Sequence, residues 1–179
     1  MKFDAIIIGG GHSGLSKGIE LLKQGKRCII FSLGEGSRRF RDPNFSHKAL
    51  RSEFENGGGT FVMGDRVIRG DFDDEGNIKA VYTENQDTTA FKAEEYYIAT
   101  GSFFAEGLIA EKDRIYEPVF GLDVNYDSNP ENWVNTDFYS RQPFMEFGVK
   151  TDADGHPSIN GITVNNLIAI GALLAYGRK

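Results

Sequence analysis

The stretch Ile6-Ile7-Ile8-Gly9-Gly10-Gly11-His12-Ser13-Gly14 constrains this chain more than any other part of it. Three branched apolar residues run into a glycine cluster, and the glycines run into a helical pattern. The continuous apolar run from Phe3 to Ile8 suits a strand covered on both faces, as in a parallel sheet. From Ser13 to Gln24, Leu15, Ile19 and Leu22 recur at helical spacing, with Lys17, Glu20 and Lys23 between them. Gly25 is placed to end that helix. Arg27 to Ser32 is a second apolar run. Together these segments make a β-α-β unit whose connection is right-handed.

Gly9-x-Gly11-x-x-Gly14 fits a dinucleotide fingerprint, and each glycine has a physical reason. Gly9 makes the tight turn, Gly11 has no side chain to block a pyrophosphate, and Gly14 lets the helix pack close to the strand. Backbone N–H groups at the positive end of the helix attract phosphate. Ser13 belongs to the same phosphate-facing set. His12 can contact a phosphate or cap the helix. An acid usually ends the second strand and holds the ribose hydroxyls of an adenosine. Here Ser32 stands in that place and Glu35 comes three positions later. Either Glu35 folds back, or the adenosine end is held weakly, or the ligand has no adenosine.

Residues 33–46 read as a loop rich in Gly, Arg, Asp, Pro and Ser. Ser46 is placed to cap a helix over 47–56 with Ala49, Leu50 and Phe54 on one face, and the glycines at 57–59 close it. The segments around 66–73 and 78–84 read as a hairpin across Asp74-Glu75-Gly76-Asn77. Tyr96-Tyr97-Ile98-Ala99-Thr100-Gly101-Ser102 gives another buried strand, and residues 163–177 give a last strand running into small residues. This order implies a three-layer α/β, Rossmann-like FAD/NAD(P)-binding domain, with a parallel sheet and a small antiparallel layer.

The net charge of −6 argues against a nucleic-acid partner. The apolar stretches are too short or interrupted to span a bilayer, and the N-terminus has no signal-peptide pattern. The lone Cys28 reads as a small buried side chain, so the expected location is cytoplasmic. His47 and His156 are isolated, and no metal site is expected. No local Ser-His-Asp or Cys-His arrangement suggests a catalytic residue. Asp73-Asp74 and Glu94-Glu95 read as turn or surface charges. Arg38, Arg39 and Arg41 read as a solvated loop, with phosphate capture the alternative. The aromatic segment from Phe138 to Gly148, with Tyr126 and Trp133, reads as core, with packing on the nucleotide side or a subunit contact as the alternatives.

Three features together go beyond a generic nucleotide fold: the N-terminal fingerprint, residues 96–102, and Asn165-Asn166-Leu167-Ile168-Ala169-Ile170-Gly171-Ala172. This trio resembles glutathione-reductase-like flavoproteins. With the sequences at 50–67, 99–111, 115–124 and 142–152, the chain resembles the B subunit of anaerobic glycerol-3-phosphate dehydrogenases over nearly all of 1–34 and 47–175. That family oxidises sn-glycerol 3-phosphate to dihydroxyacetone phosphate and passes electrons through flavin and iron–sulfur centres to membrane quinone.

The resemblance implies a flavin, FMN or FAD. It also implies two partners: a catalytic A subunit and a membrane-anchor iron–sulfur subunit that holds the pair at the inner face of the cell membrane. On this resemblance the flavin site is Gly9, Gly11, His12, Ser13, Gly14 and Ser32, with Thr100 and Gly101 as a second shelf and Gly171 at the flavin end. Residues 1–179 form one flavin-binding domain with an internal deletion near 35–47, where the family builds its substrate domain. The acid that usually follows the last glycine is Ala172 here. The chain is therefore expected to be inactive alone. The alternative is a non-enzymatic docking module with an empty cradle, and a nicotinamide-dependent enzyme ranks last.

Overall fold

Every residue of the first strand, β1 (Ala5–Ile8), is buried, because its sheet is covered on both sides. The computed structural model describes residues 2–34 and 46–175, so Glu35, Arg38, Arg39 and Arg41 lie outside the described residues. After β1 come α1 (His12–Lys23), β2 (Cys28–Ser32), α2 (His47–Asn56) and β3 (Thr60–Met63). A hairpin of β4 (Val67–Phe72) and β5 (Ile78–Thr83) precedes β6 (Glu95–Ile98). Short pairs follow: β7 (Ile109–Ala110) with β8 (Ile115–Tyr116), β9 (Val124–Asn125) with β10 (Gly148–Val149), and β11 (Ser158–Ile159) with β12 (Ile162–Thr163). The last strand is β13 (Leu167–Ala169).

Five strands form one parallel sheet in the order β13-β6-β1-β2-β3. Side chains alternate across it, so each face has its own core. Ala5, Ile7, Cys28, Ile30 and Tyr97 pack with Leu15, Ile19 and Leu21 of α1 and Phe54 of α2. Ile6, Ile8, Ile29, Phe31, Tyr96 and Ile98 pack with Val67, Ile78 and Val81 of the hairpin and with Phe120 and Leu122. The expected helix, parallel-sheet and antiparallel layers are all present. Cys28 is buried as expected, and burial pushes its thiol up to about 11.

Local chemistry accounts for the element ends. Gly25 follows α1 at φ +81° and donates to the Leu22 carbonyl. Ser46 caps α2 by accepting from Ala49 N–H at 3.2 Å. Phe54 is the buried anchor of α2, whereas Ala49, expected on the same face, is exposed. A short helix has room for one deep contact, and the large ring takes it. Gly18 leaves space for that ring: a Cβ there would lie 2.7 Å from it.

The irregular region is held by two acids, of which Glu117 is buried. Glu117 is 1% exposed and accepts N–H groups of Val119, Phe120, Gly121 and Leu122. Burial pushes its carboxyl up, while the four donors favour the ionised form. Asp123 accepts from Ser158 Oγ, Asn160 N and Gly161 N, which ties β9 to the β11–β12 turn. Tyr126, Trp133 and Phe147 pack edge to face as core, in line with the expectation for them. Phe138 and Tyr139 depart from it and face solvent.

Two stability effects follow. Phe54→Ala empties the α1–α2 contact and is expected to cost about 3–5 kcal/mol in denaturant unfolding. Asp4 joins the starts of β1 and β2 by accepting from Arg27 N at 2.7 Å, Nε at 3.1 Å and Nη2 at 3.0 Å. The Arg27 side-chain hydrogen bonds lower its pKa from 3.8 to about 2. The folded pKa lies below the unfolded one, so this contribution is present above pH 3.8 and lost as pH falls through about 2. Asp4→Asn is expected to remove that component from the acid unfolding curve.

Candidate nucleotide site

The carboxyl ends of β1, β6 and β13 finish side by side, with Ile8 opposite Ile98 and Ile98 opposite Ala169. Each strand then turns at a glycine with positive φ: Gly9 at +110°, Gly101 at +82° and Gly171 at +75°. Crevices at such strand ends are where open parallel sheets bind ligands. Ala99 N donates to the Ile8 carbonyl at 2.7 Å, and Ile170 N to the Ile98 carbonyl at 3.0 Å. These bonds extend the sheet contacts past the last paired residues and hold the turns together.

The glycines here have different physical roles. A Cβ on Gly9 would enter the Ala99 backbone, with Thr100 N at 3.0 Å. A Cβ on Gly14 would strike the Gly9 carbonyl. Helix α1 therefore sits directly on the turn. Gly11 has an ordinary extended φ of −76°, and a Cβ there would meet nothing within 4 Å. Its lack of a side chain serves no packing need of the protein. It leaves open the space in front of the helix N-terminus, where a phosphate would come closest to the backbone. The Ncap residue, Gly11, has no side chain with which to cap that terminus, and the first turn carries no acid.

The second and third strand turns face the same helix end. Gly171 lies against Ser13, so a Cβ there would be 2.5 Å from Ser13 Oγ. Thr100 Oγ1 is buried with no hydrogen-bond partner among the described residues. A buried hydroxyl without a partner calls for an explanation, and a nucleotide bound at this edge is one. His12 opens α1 as its first residue. Ala172, in the place of the usual acid, is exposed. Gly9, Gly11, His12, Ser13, Gly14, Thr100, Gly101 and Gly171 thus share one edge of the sheet. Among the described residues, an FAD-type dinucleotide fits what is present: open backbone at Gly11, a glycine at the Ncap and an unpartnered hydroxyl at Thr100.

Ser32 closes the β2 side of this edge. It is buried, and its hydroxyl donates to the Gly34 carbonyl at 2.6 Å. A Cβ on Gly10 would lie 2.7 Å from Ser32 Oγ and 2.6 Å from the Phe61 ring. His47 joins them. Its Nε2 lies 2.8 Å from the Gly10 carbonyl, and its ring stands edge-on to Phe61 at 6.2 Å. By spacing alone His47 is isolated. No local signal reveals its place, because 37 positions separate it from Gly10. His156 is structural: its Nδ1 lies 2.8 Å from the Leu167 carbonyl and steadies β13.

The chain matches the FAD binding domain family over residues 4–40 and 39–178. It belongs to that family. The expectation of a flavin, FMN or FAD, is borne out in its FAD form by this match. The chain is 39% identical over 130 residues to the B subunit of the anaerobic glycerol-3-phosphate dehydrogenase of Vibrio vulnificus (strain CMCP6), covering 72% of this chain and 30% of that protein. It is 41% identical over 128 residues to the same subunit of Pectobacterium atrosepticum, again covering 72% of this chain and 30% of that protein. The expected resemblance to this subunit family is thereby borne out. The chain spans about 30% of the length of these curated relatives. Among solved structures, Thermovibrio ammonificans THI4 aligns with a TM-score of 0.49 and 19% identity, covering 58% of this chain and 59% of that one. Among the described residues no helix is long and apolar enough to cross a membrane.

The two kinds of glycine are separable by mutation. Gly11→Val is expected to cost at most about 1 kcal/mol in denaturant unfolding, because Val is a poor Ncap, and to weaken FAD binding at least about tenfold, the equivalent of ~1.4 kcal/mol. Gly14→Ala is expected to destabilise the protein itself by about 1–3 kcal/mol, because α1 must lift off the Gly9 turn.

Proposed function

We propose that this chain is the FAD-binding domain of a B subunit of the anaerobic glycerol-3-phosphate dehydrogenase type. The observation that carries this is the convergence of three strand ends on one helix terminus, with Gly11 open and Thr100 Oγ1 unpartnered among the described residues. The family match and the named relatives support the same reading.

In this reading the α1 N-terminus and the Gly11 backbone hold the pyrophosphate. Ser13 and His12 lie beside it. Thr100 supplies a hydroxyl to the nucleotide from the second turn, and the Gly101 turn lets the backbone pass beneath it. Gly171 marks the flavin end. A bound flavin supplies two-electron chemistry and one-electron exchange with further carriers, and the protein supplies orientation and electrostatics. No described side chain at this edge is placed as a general acid or base, and the ribityl-binding acid is replaced by Ala172.

The proposed physiological reaction is that of the relatives' complex: oxidation of sn-glycerol 3-phosphate to dihydroxyacetone phosphate with electrons delivered to quinone. A catalytic A subunit and a membrane-anchor iron–sulfur subunit would be its partners, with the chain peripheral at the inner face of the membrane. Residues 1–179 are read as one flavin-binding domain with a deletion near 35–47, so the chain alone is inactive toward the substrate.

The test is a visible absorption spectrum of the purified chain, with flavin released by heating and compared with FAD and FMN standards. A yellow protein releasing FAD is expected, without turnover of glycerol 3-phosphate. A colourless protein that also fails to bind added flavin would overturn the cofactor assignment and leave an assembly module. Turnover by the isolated chain would overturn its inactivity.

A further inference from the structure

Phe138 and Tyr139 are neighbours in sequence and stand 90% and 101% exposed. Single apolar side chains on a surface need no explanation. Two adjacent aromatic rings left wholly in water do, because the same segment packs its other rings inward. Trp133 and Phe147 pack edge to face with Tyr126, and Phe144 stands edge-on to Phe103 at 6.0 Å.

The loop that carries the two exposed rings is a fixed frame. Asn135 N–H donates to Gln142 Oε1 at 2.8 Å, and Asn135 Nδ2 donates to the Arg141 carbonyl at 2.9 Å. Gln142 Nε2 donates to the Asp137 carbonyl at 2.9 Å, and Asp137 Oδ1 accepts from Tyr139 N–H at 3.0 Å. Two amide side chains and one carboxylate thus hold the backbone on both sides of the tip. At the base, Phe144 N–H donates to the Trp133 carbonyl at 3.0 Å, which closes the loop on the core. Burying rings on such a frame costs little backbone freedom, and aromatic anchors of this kind are enriched at interface hot spots. Val134, also exposed, adds apolar surface in the same loop.

The charges decide what can cover it. From Asp127 to Phe147 there are four acids, Asp127, Glu131, Asp137 and Glu146, against one cation, Arg141, a net of −3. All five are exposed, and Arg141 is paired with Glu146 at 3.2 Å. A second copy would bring the same acids to the contact from a chain of net charge −6, and like charges facing each other oppose association. An anionic lipid surface is disfavoured for the same reason. An apolar pocket edged by Lys and Arg on a different protein complements both the rings and the acidic loop.

We propose that the 134–142 loop is a docking surface for a different protein chain, with Phe138 and Tyr139 entering an apolar pocket whose edge is basic. This rests on the multi-subunit reading above, which supplies the A subunit as the partner to test.

The experiment measures binding of the purified 179-residue chain to the immobilised A subunit that partners the 39%-identical Vibrio vulnificus relative, by biolayer interferometry. Wild type is compared with the Phe138→Ala/Tyr139→Ala double variant and with Glu131→Arg. Both variants change only exposed side chains, so their thermal unfolding by circular dichroism should match wild type. The double variant should lose about thirtyfold or more in affinity, the scale of one interface hot spot. Glu131→Arg should lose about threefold, and raising the ionic strength from about 0.05 M to about 0.3 M should weaken wild-type binding by about fivefold, because the attraction between exposed charges is screened.

Wild-type binding that the double variant keeps within about twofold would overturn the inference and leave the subunit reading intact. Loop-dependent dimerisation in sedimentation, or loop-dependent binding to vesicles of mixed phosphatidylcholine and phosphatidylserine, would also overturn it by naming a different occupant. Binding lost in the double variant but insensitive to salt and to Glu131→Arg would overturn the basic edge. No binding by wild type would overturn both the docking surface and the subunit reading.

Discussion

At the carboxyl edge of the parallel sheet there is no space for a side chain on the first turn. Gly9 turns at φ +110° against the Ala99 backbone, and Gly14 rests on the Gly9 carbonyl. This backbone-on-backbone contact sets the height of α1 above the sheet. It places the helix N-terminus directly over the ends of β1 and β6. Gly171, turning at +75° against Ser13, brings the end of β13 to the same point. The rest of the site depends on this contact, because the open space in front of Gly11 exists only while the helix stays close.

The two cores support that geometry from opposite faces. On the helix side, Leu15, Ile19 and Phe54 hold α1 and α2 on Ile7 and Ile30. On the other side, the hairpin and the loops around Phe120 and Phe147 cover Ile6, Ile8 and Ile98. The second layer has little regular structure, so it relies on carboxylates that gather backbone donors. Glu117 takes four N–H groups and Asp123 takes two plus the Ser158 hydroxyl. Such clusters rigidify irregular chain at the cost of desolvating a charge, which the donors offset. Their effect is to fix the turn at 117–122 and to tie it to the β11–β12 turn.

The site divides into packing residues and open residues. Gly9, Gly14 and Gly171 are glycine because the protein's own atoms occupy the space. Gly11 is glycine with nothing near it, and Thr100 Oγ1 is buried with no described group to bond. In the proposed reading, only the open backbone at Gly11 leaves room for a ligand at the helix terminus. That distinction turns a common fingerprint into a specific claim about where the phosphate meets the chain, and it agrees with membership of the FAD binding domain family.

The local pattern by itself determined the β-α-β unit, the fingerprint, the hairpin and the buried strand at Tyr96–Ile98, because period and turn chemistry are set by near neighbours. It also carried the family resemblance. Two things needed the tertiary structure. The exposure of Ala49 and of Phe138 and Tyr139 depends on what packs opposite, which periodicity cannot report. His47 is isolated along the chain, because its partner Gly10 lies 37 positions away and meets it only when α2 docks beside β2 and β3. Local interactions decide which elements form, and long-range packing decides which side chains they bring to the nucleotide edge.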